Sequence, residues 1–170
     1  MEFVQHSINW AKGETTEAII TAIFGLLIVI CSLAFWKFGN TPNGKALIIP
    51  LLIVGIIPLF FGISGAISNN NRIEAYQQAW QENPQKFMQD EKLRVERFDQ
   101  IFKYTYPMAI TLSIGGAILF FLLGSPNWKA ISLAMMTMGL MAYFIDHFAA
   151  ERAEIYLKQI KESIEMFSCL

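Results

Sequence analysis

A chain of 170 residues in which 54% are apolar and 16% charged carries too few charges for an ordinary soluble domain, where they make up about a quarter. Its formal net charge of −1 offers no concentrated basic excess, which argues against a nucleic-acid partner held by electrostatics. The two cysteines, Cys31 inside an apolar run and Cys169 next to the end, supply neither a disulfide framework nor a metal spacing, and Leu170 alone after Cys169 is too short for a prenylation box.

The chain opens with a leader, residues 1–14, that lacks the basic cluster of a signal peptide and precedes an apolar run longer than a signal-peptide core, so it is expected to be retained. Phe3, Val4, Ile8 and Trp10 make it mildly amphipathic, which predicts a segment lying at the membrane interface. Four stretches then contain no Asp, Glu, Lys, Arg or His: residues 18–36, 46–71, 104–128 and 130–145. Each approaches the roughly 20 residues that a helix needs to cross a hydrocarbon core, the fourth when it is extended to Trp128 and Phe148. Helices are required, because a lone strand would leave backbone groups unsatisfied in lipid.

Gly39, Asn40, Pro42, Asn43 and Gly44 make a short link between the first and second spans, and Gly124, Ser125, Pro126 and Asn127 do the same for the third and fourth. Short links give antiparallel hairpins, residues 15–68 and 106–148. Pro50 and Pro58, with Gly55, Gly62 and Gly65, are expected to bend the second span. The connection of residues 69–105 reads as helical, with Asn83 as N-cap and Pro84 at the first position of a new helix whose Phe87, Val95, Phe98 and Phe102 share a face and which can run on into the third span. In the tail, residues 149–170, Ala149, Ala153, Leu157, Ile160, Ile164 and Phe167 continue a stripe from Phe148, opposite Glu154, Lys158, Lys161 and Glu165. The fold class is therefore all-α: a polytopic membrane protein of four transmembrane helices in two hairpins, with a cytoplasmic helical layer.

Orientation follows from the basic residues. The leader, the connection and the tail hold 10 of the 13 Lys and Arg residues, and the two short links hold 3. The richer side is the cytoplasmic one, which puts both termini and the connection inside, with Trp36, Trp128 and Tyr106 near span ends as in an aromatic belt.

The span centres carry no charged group for an ion-coupled transporter to use. The densest polar constellation is Asp146, His147, Glu151 and Arg152 at the exit of the fourth span, facing Glu91, Lys92, Arg94, Glu96 and Arg97 on the connection. His147 and Glu151 lie four apart on a helix, yet two ligands fall short of a catalytic zinc site, so no metal and no cofactor is assigned. The constellation is expected to be a structural seam of Asp146, Glu151, Arg94 and Arg97, in which Arg94 or Arg97 pairs with Asp146, since a carboxylate near the acyl boundary is costly unless a guanidinium satisfies it. A second signal is the run of small residues on the third span, Ala109, Ser113, Gly116 and Ala117, echoed by Gly62 and Ala66 on the second. Such ribbons let helices approach closely in lipid, either within this bundle or against a partner, and the first of them is the candidate partner-binding face. The bilayer itself, a membrane-embedded protein and a second copy of this chain are the partners it suits.

With the connection reading NPQKFMQDEKLRVERF over residues 83–98 and the exit of the fourth span reading DHFAAERAEIYL over residues 146–157, the chain resembles small multi-pass inner-membrane proteins encoded beside the pore-forming toxins of bacterial type VI secretion systems. The resemblance implies an immunity role, in which the protein neutralises a membrane-inserting toxin by binding it, and it brings no catalytic residues. Two other classes suit the same residues: an accessory or scaffold subunit of a membrane assembly, and a small channel or transporter.

Overall fold

A computed structural model describes residues 2–168, with side chains for residues 3–166; Cys169, Leu170 and the side chain of Phe167 lie outside the described residues. The described chain is four helices: α1 (Glu2–Phe38), α2 (Pro42–Glu82), α3 (Pro84–Leu122) and α4 (Pro126–Ser168). All four are long and apolar enough to cross a membrane. α2 has 41 residues and is therefore about 60 Å long, roughly twice the thickness of a hydrocarbon core. Each helix thus has an apolar half and a polar half.

The chain direction alternates, so the polar halves of all four helices gather at one end. Residues 2–17, 72–103 and 146–168 hold all 14 acidic and 10 of the 13 basic residues, while Lys37, Lys45 and Lys129 mark the other end. The expected interfacial leader is corrected by this arrangement. Residues 2–14 are the first turns of α1, and Phe3, Ile8, Trp10 and Ala11 are buried in the protein rather than laid on a membrane surface, because the polar halves of α2, α3 and α4 offer them an aromatic core.

Local chemistry sets the breaks. Asn83 is the only residue between α2 and α3 and caps both: its extended backbone (φ −157°, ψ 96°) donates its N–H to the Ala79 carbonyl at 3.1 Å, and its Oδ1 accepts the N–H of Lys86 at 3.0 Å. Pro84 then occupies the first position of α3, where a missing N–H costs nothing. Thr41 caps α2 in the same way, its Oγ1 accepting the Gly44 N–H at 3.1 Å with Pro42 behind it. α2 continues unbroken through Pro50 and Pro58, and α3 through Pro107.

In the apolar half, α1 packs on α2 and α3 on α4 through glycines. A Cβ on Gly25 would stand 2.4 Å from the Leu59 nitrogen, and one on Gly55 2.8 Å from the Val29 nitrogen. In the second hairpin a Cβ on Gly139 would stand 2.6 Å from the Ala109 carbonyl oxygen. Backbone against backbone is the packing that small residues permit in lipid, where apolar burial supplies no net drive between helices. Ser32 adds a cross-helix bond, its hydroxyl donating to the Ile48 carbonyl at 2.7 Å.

The hairpins meet differently. α4 touches both α1 and α2, α2 and α3 approach each other only slightly, and the α1 and α3 backbones are not neighbours. What joins the hairpins is the polar end, where Phe3 stacks on Trp80 and meets Phe87 edge-on, and Trp10 stacks on Tyr156 with ring centres 5.1 Å apart.

Candidate functional site

Within that aromatic core lies a carboxylate. Glu91 falls on the apolar stripe of α3, four residues after Phe87 and four before Val95, and its side chain is 3% exposed. Oε1 accepts hydrogen bonds from the hydroxyls of Tyr76 on α2, at 2.9 Å, and Tyr156 on α4, at 2.8 Å. Arg94, one turn along, grips the same carboxylate through Nε at 2.8 Å and through Nη2. Its guanidinium in turn lies over the Trp10 ring of α1, 4.5 Å from the ring centre. All four helices therefore meet around one carboxylate, outside the charge-free stretches. Burial first, and then the Glu91 charge, pushes the phenols of Tyr76 and Tyr156 well above the ordinary tyrosine value, so both remain donors.

The expected seam is resolved differently from its sequence reading. Arg94 is committed to Glu91 rather than to Asp146, because a partner three residues away on its own helix is already in reach and is buried with it. Asp146 makes no ion pair among the described residues; its backbone carbonyl accepts the Tyr106 hydroxyl at 3.3 Å. Glu151 and Arg97 are exposed and are not joined to each other or to Asp146. The ion pairs that do link the hairpins run from α4 to α1, where Arg152 Nη2 lies 2.8 Å from Glu14 and 2.7 Å from Glu17. Gly13 makes room for them: a Cβ there would stand 2.5 Å from an Arg152 nitrogen. A signal for this pairing exists in the sequence, since Glu14 and Glu17 enter the first span at the same end of the bundle where Arg152 leaves the fourth.

The candidate partner face is also reassigned. Ala109 and Gly116 are buried, and Ser113 and Ala117 are half-buried. A Cβ on Gly116 would stand 2.8 Å from the Ser132 carbonyl oxygen, and Ser113 lies against Gly139 while its hydroxyl bonds back to the Ala109 carbonyl. Ala109, Ser113 and Gly116 are thus spent on α4, as Gly62 is on α1, where its Cβ would strike Ala22. Close approach within a hairpin uses up the stripes that could have received another helix.

Space is left between the hairpins instead. One apolar cleft of about 750 Å³ separates α1 from α4, between Ile20, Phe24 and Ile28 on one wall and Met141, Phe144 and Phe148 on the other. Phe148, expected on the inward stripe of the tail, is 56% exposed because it faces this cleft. A second, of about 660 Å³, runs between α2 and the other hairpin, lined among others by Ile49, Ile53 and Ile57 and by Ile131, Met135 and Met138. The second lies in the apolar half, and the first runs from the apolar half to the edge of the polar one, where Gly13, Thr16, Glu17 and Arg152 line it. Among the described residues, no three His, Cys, Asp or Glu side chains cluster so as to hold a metal ion.

No protein-family model matches the chain, and no curated protein or solved structure is detectably similar to it. What can be said of its function therefore rests on its own residues.

Proposed function

We propose that this chain is a non-enzymatic binding protein of the bacterial inner membrane, with both termini in the cytoplasm, which captures an apolar helix of a membrane-inserting, pore-forming toxin before the pore assembles. The observation that carries the reading is the pair of open clefts between two internally sealed hairpins. Each hairpin is closed by backbone contact at its glycines, while the walls between hairpins are apolar, uncharged at mid-depth and unfilled by the chain's own side chains. The cleft between α2 and the second hairpin suits an irregular apolar ligand, because Met135 and Met138 repack without loss of rotamer quality. The toxin as partner rests on the resemblance in residues 83–98 and 146–157, and the orientation on the excess of Lys and Arg at the polar end.

Two measurements test this. Reporter fusions after Asn83 and after Leu170 are expected to read cytoplasmic and one at Asn43 external; the reverse pattern overturns the orientation. For capture, Ile53→Trp and Met138→Trp fill the second cleft from opposite walls, with Ile114→Trp, on an exposed face of α3, as control. Survival during expression of a pore-forming toxin encoded beside this gene, plotted against folded protein in the membrane, should fall for the cleft variants and not for the control. Unchanged protection per folded molecule in both cleft variants removes the proposed capture site.

A further inference from the structure

A third cavity has a different chemistry. It encloses about 610 Å³ where the polar halves of α1, α2 and α3 diverge, and three arginines line it: Arg72, Arg94 and Arg97. The register explains their convergence. Gly65, Ser68, Asn69 and Arg72 follow one face of α2, and Asp90, Leu93, Arg94, Arg97 and Ile101 follow one face of α3 that runs antiparallel to it across the Asn83 turn. Trp10 and Glu14 of α1 complete the lining. Gly65 and Ser68 belong to the charge-free stretch of α2, so the cavity begins at membrane depth and rises through the headgroup level, with Leu93 and Ile101 as half-exposed apolar lips.

The charges are only partly spent. Arg94 is held by Glu91, but Arg72 bonds only the Asn69 side chain, at 3.1 Å, and neither Arg72 nor Arg97 makes an ion pair among the described residues. Of the two carboxylates in the lining, Glu14 is taken by Arg152, and Asp90 is exposed at the end away from the membrane. Both free guanidiniums are donors and cations, so the group that completes the site is an acceptor carrying negative charge.

We propose that this cavity binds the phosphate headgroup of an anionic phospholipid, with Arg72 and Arg97 as its ligands and the acyl chains leaving past Ile101 at its membrane end. The position decides the source of the phosphate: the cavity opens at the membrane boundary, where basic pockets between helices meet lipid headgroups at high local concentration. The site stands independently of the toxin reading, since it uses none of the residues of the apolar clefts.

The test uses the full chain purified in a neutral detergent and titrated with phosphatidylglycerol or with phosphatidylcholine of matched acyl chains, scoring retained lipid by native mass spectrometry. Phosphatidylglycerol is expected to be retained preferentially. Arg72→Gln or Arg97→Gln should each weaken its retention about fivefold, and the pair about thirtyfold, while Lys86→Gln outside the cavity leaves it unchanged. Equal retention of the two lipids by the unmodified chain overturns the proposal without any variant having to fold. So does a double variant that keeps the preference. Inorganic phosphate is titrated alone, with thermal shift as readout: saturable protection that also displaces phosphatidylglycerol would make the site one for free phosphate, and the lipid assignment would fall.

Discussion

Tyr156 of α4 and Glu91 of α3 are joined by a 2.8 Å hydrogen bond across the middle of the polar layer, 65 residues apart in sequence. The bond ties the last helix to the second hairpin's other arm and, through Tyr76 and Arg94, to α2 and α1. Glu91→Ala removes the acceptor and leaves two buried phenols and a half-buried guanidinium unpaired. It should cost about 3–5 kcal/mol, with Tyr156→Phe costing about 1–3 kcal/mol. Chemical unfolding in detergent micelles, followed by the near-ultraviolet signal of the Trp10–Tyr156 stack, measures both. A loss below about 1 kcal/mol for Glu91→Ala would show that the carboxylate does not hold the layer together.

The same phenols give the layer an alkaline limit. Their folded values are raised above the ordinary tyrosine value of 10.0 by burial and by Glu91, whereas in the unfolded chain they titrate near that value. The unfolded state therefore loses protons first, and the contribution of these groups is fully present below pH 10 and falls as pH rises beyond it. Each phenol adds a slope of about 1.4 kcal/mol per pH unit there, and Tyr76→Phe or Tyr156→Phe should remove its own share. Stability between pH 9 and 11, roughly a unit to either side of that value, is the measurement. Equal slopes in the variants and the parent would contradict the assignment.

Arg152 and Asp146 lie on one helix but separate cleanly in a double-mutant test. Glu14→Gln and Arg152→Gln should be non-additive, with a coupling of about 0.5–3 kcal/mol, because their side chains are 2.8 Å apart. Asp146→Ala and Arg94→Ala should add to within about 0.3–0.5 kcal/mol, because Arg94 is bound to Glu91. Coupling in the second pair would restore the seam expected from the sequence.

Neighbouring glycines on α3 should respond in opposite ways. A Cβ on Gly116 meets Ser132, Met136 and their backbones at 2.8 to 3.0 Å, while one on Gly115 meets nothing within 4 Å. Gly116→Ala is expected to lower the yield of folded protein and its melting temperature, with overpacking of this kind costing about 1–3 kcal/mol. Gly115→Ala should be neutral or stabilising by up to about 1 kcal/mol, since it only removes helix-interior glycine entropy. Ser113→Leu should behave like Gly116→Ala, which separates packing within the hairpin from a partner-binding role.

Composition alone assigns each segment its solvent. Charge-free runs of span length marked the apolar halves, Asn83 and Pro84 marked the one sharp break in the polar half, and the turn residues of the short links made hairpins unavoidable. Those are local properties, written in composition, capping chemistry and the helical repeat. The same repeat placed Glu91 on the apolar stripe between Phe87 and Val95, a legible sign of a buried carboxylate that the surrounding charges obscured. Which groups it meets is a different kind of information. Periodicity tells which face of a helix is apolar, but not its rotation or axial offset against the other three. Only the tertiary structure set those offsets, and with them the choice of Glu91 over Asp146 for Arg94, the bridge from Arg152 to Glu14 and Glu17, and the use of Ala109, Ser113 and Gly116 within their own hairpin. The reason is geometric: a one-residue shift turns a helix by about 100°, enough to exchange one face for another while leaving every sequence pattern intact.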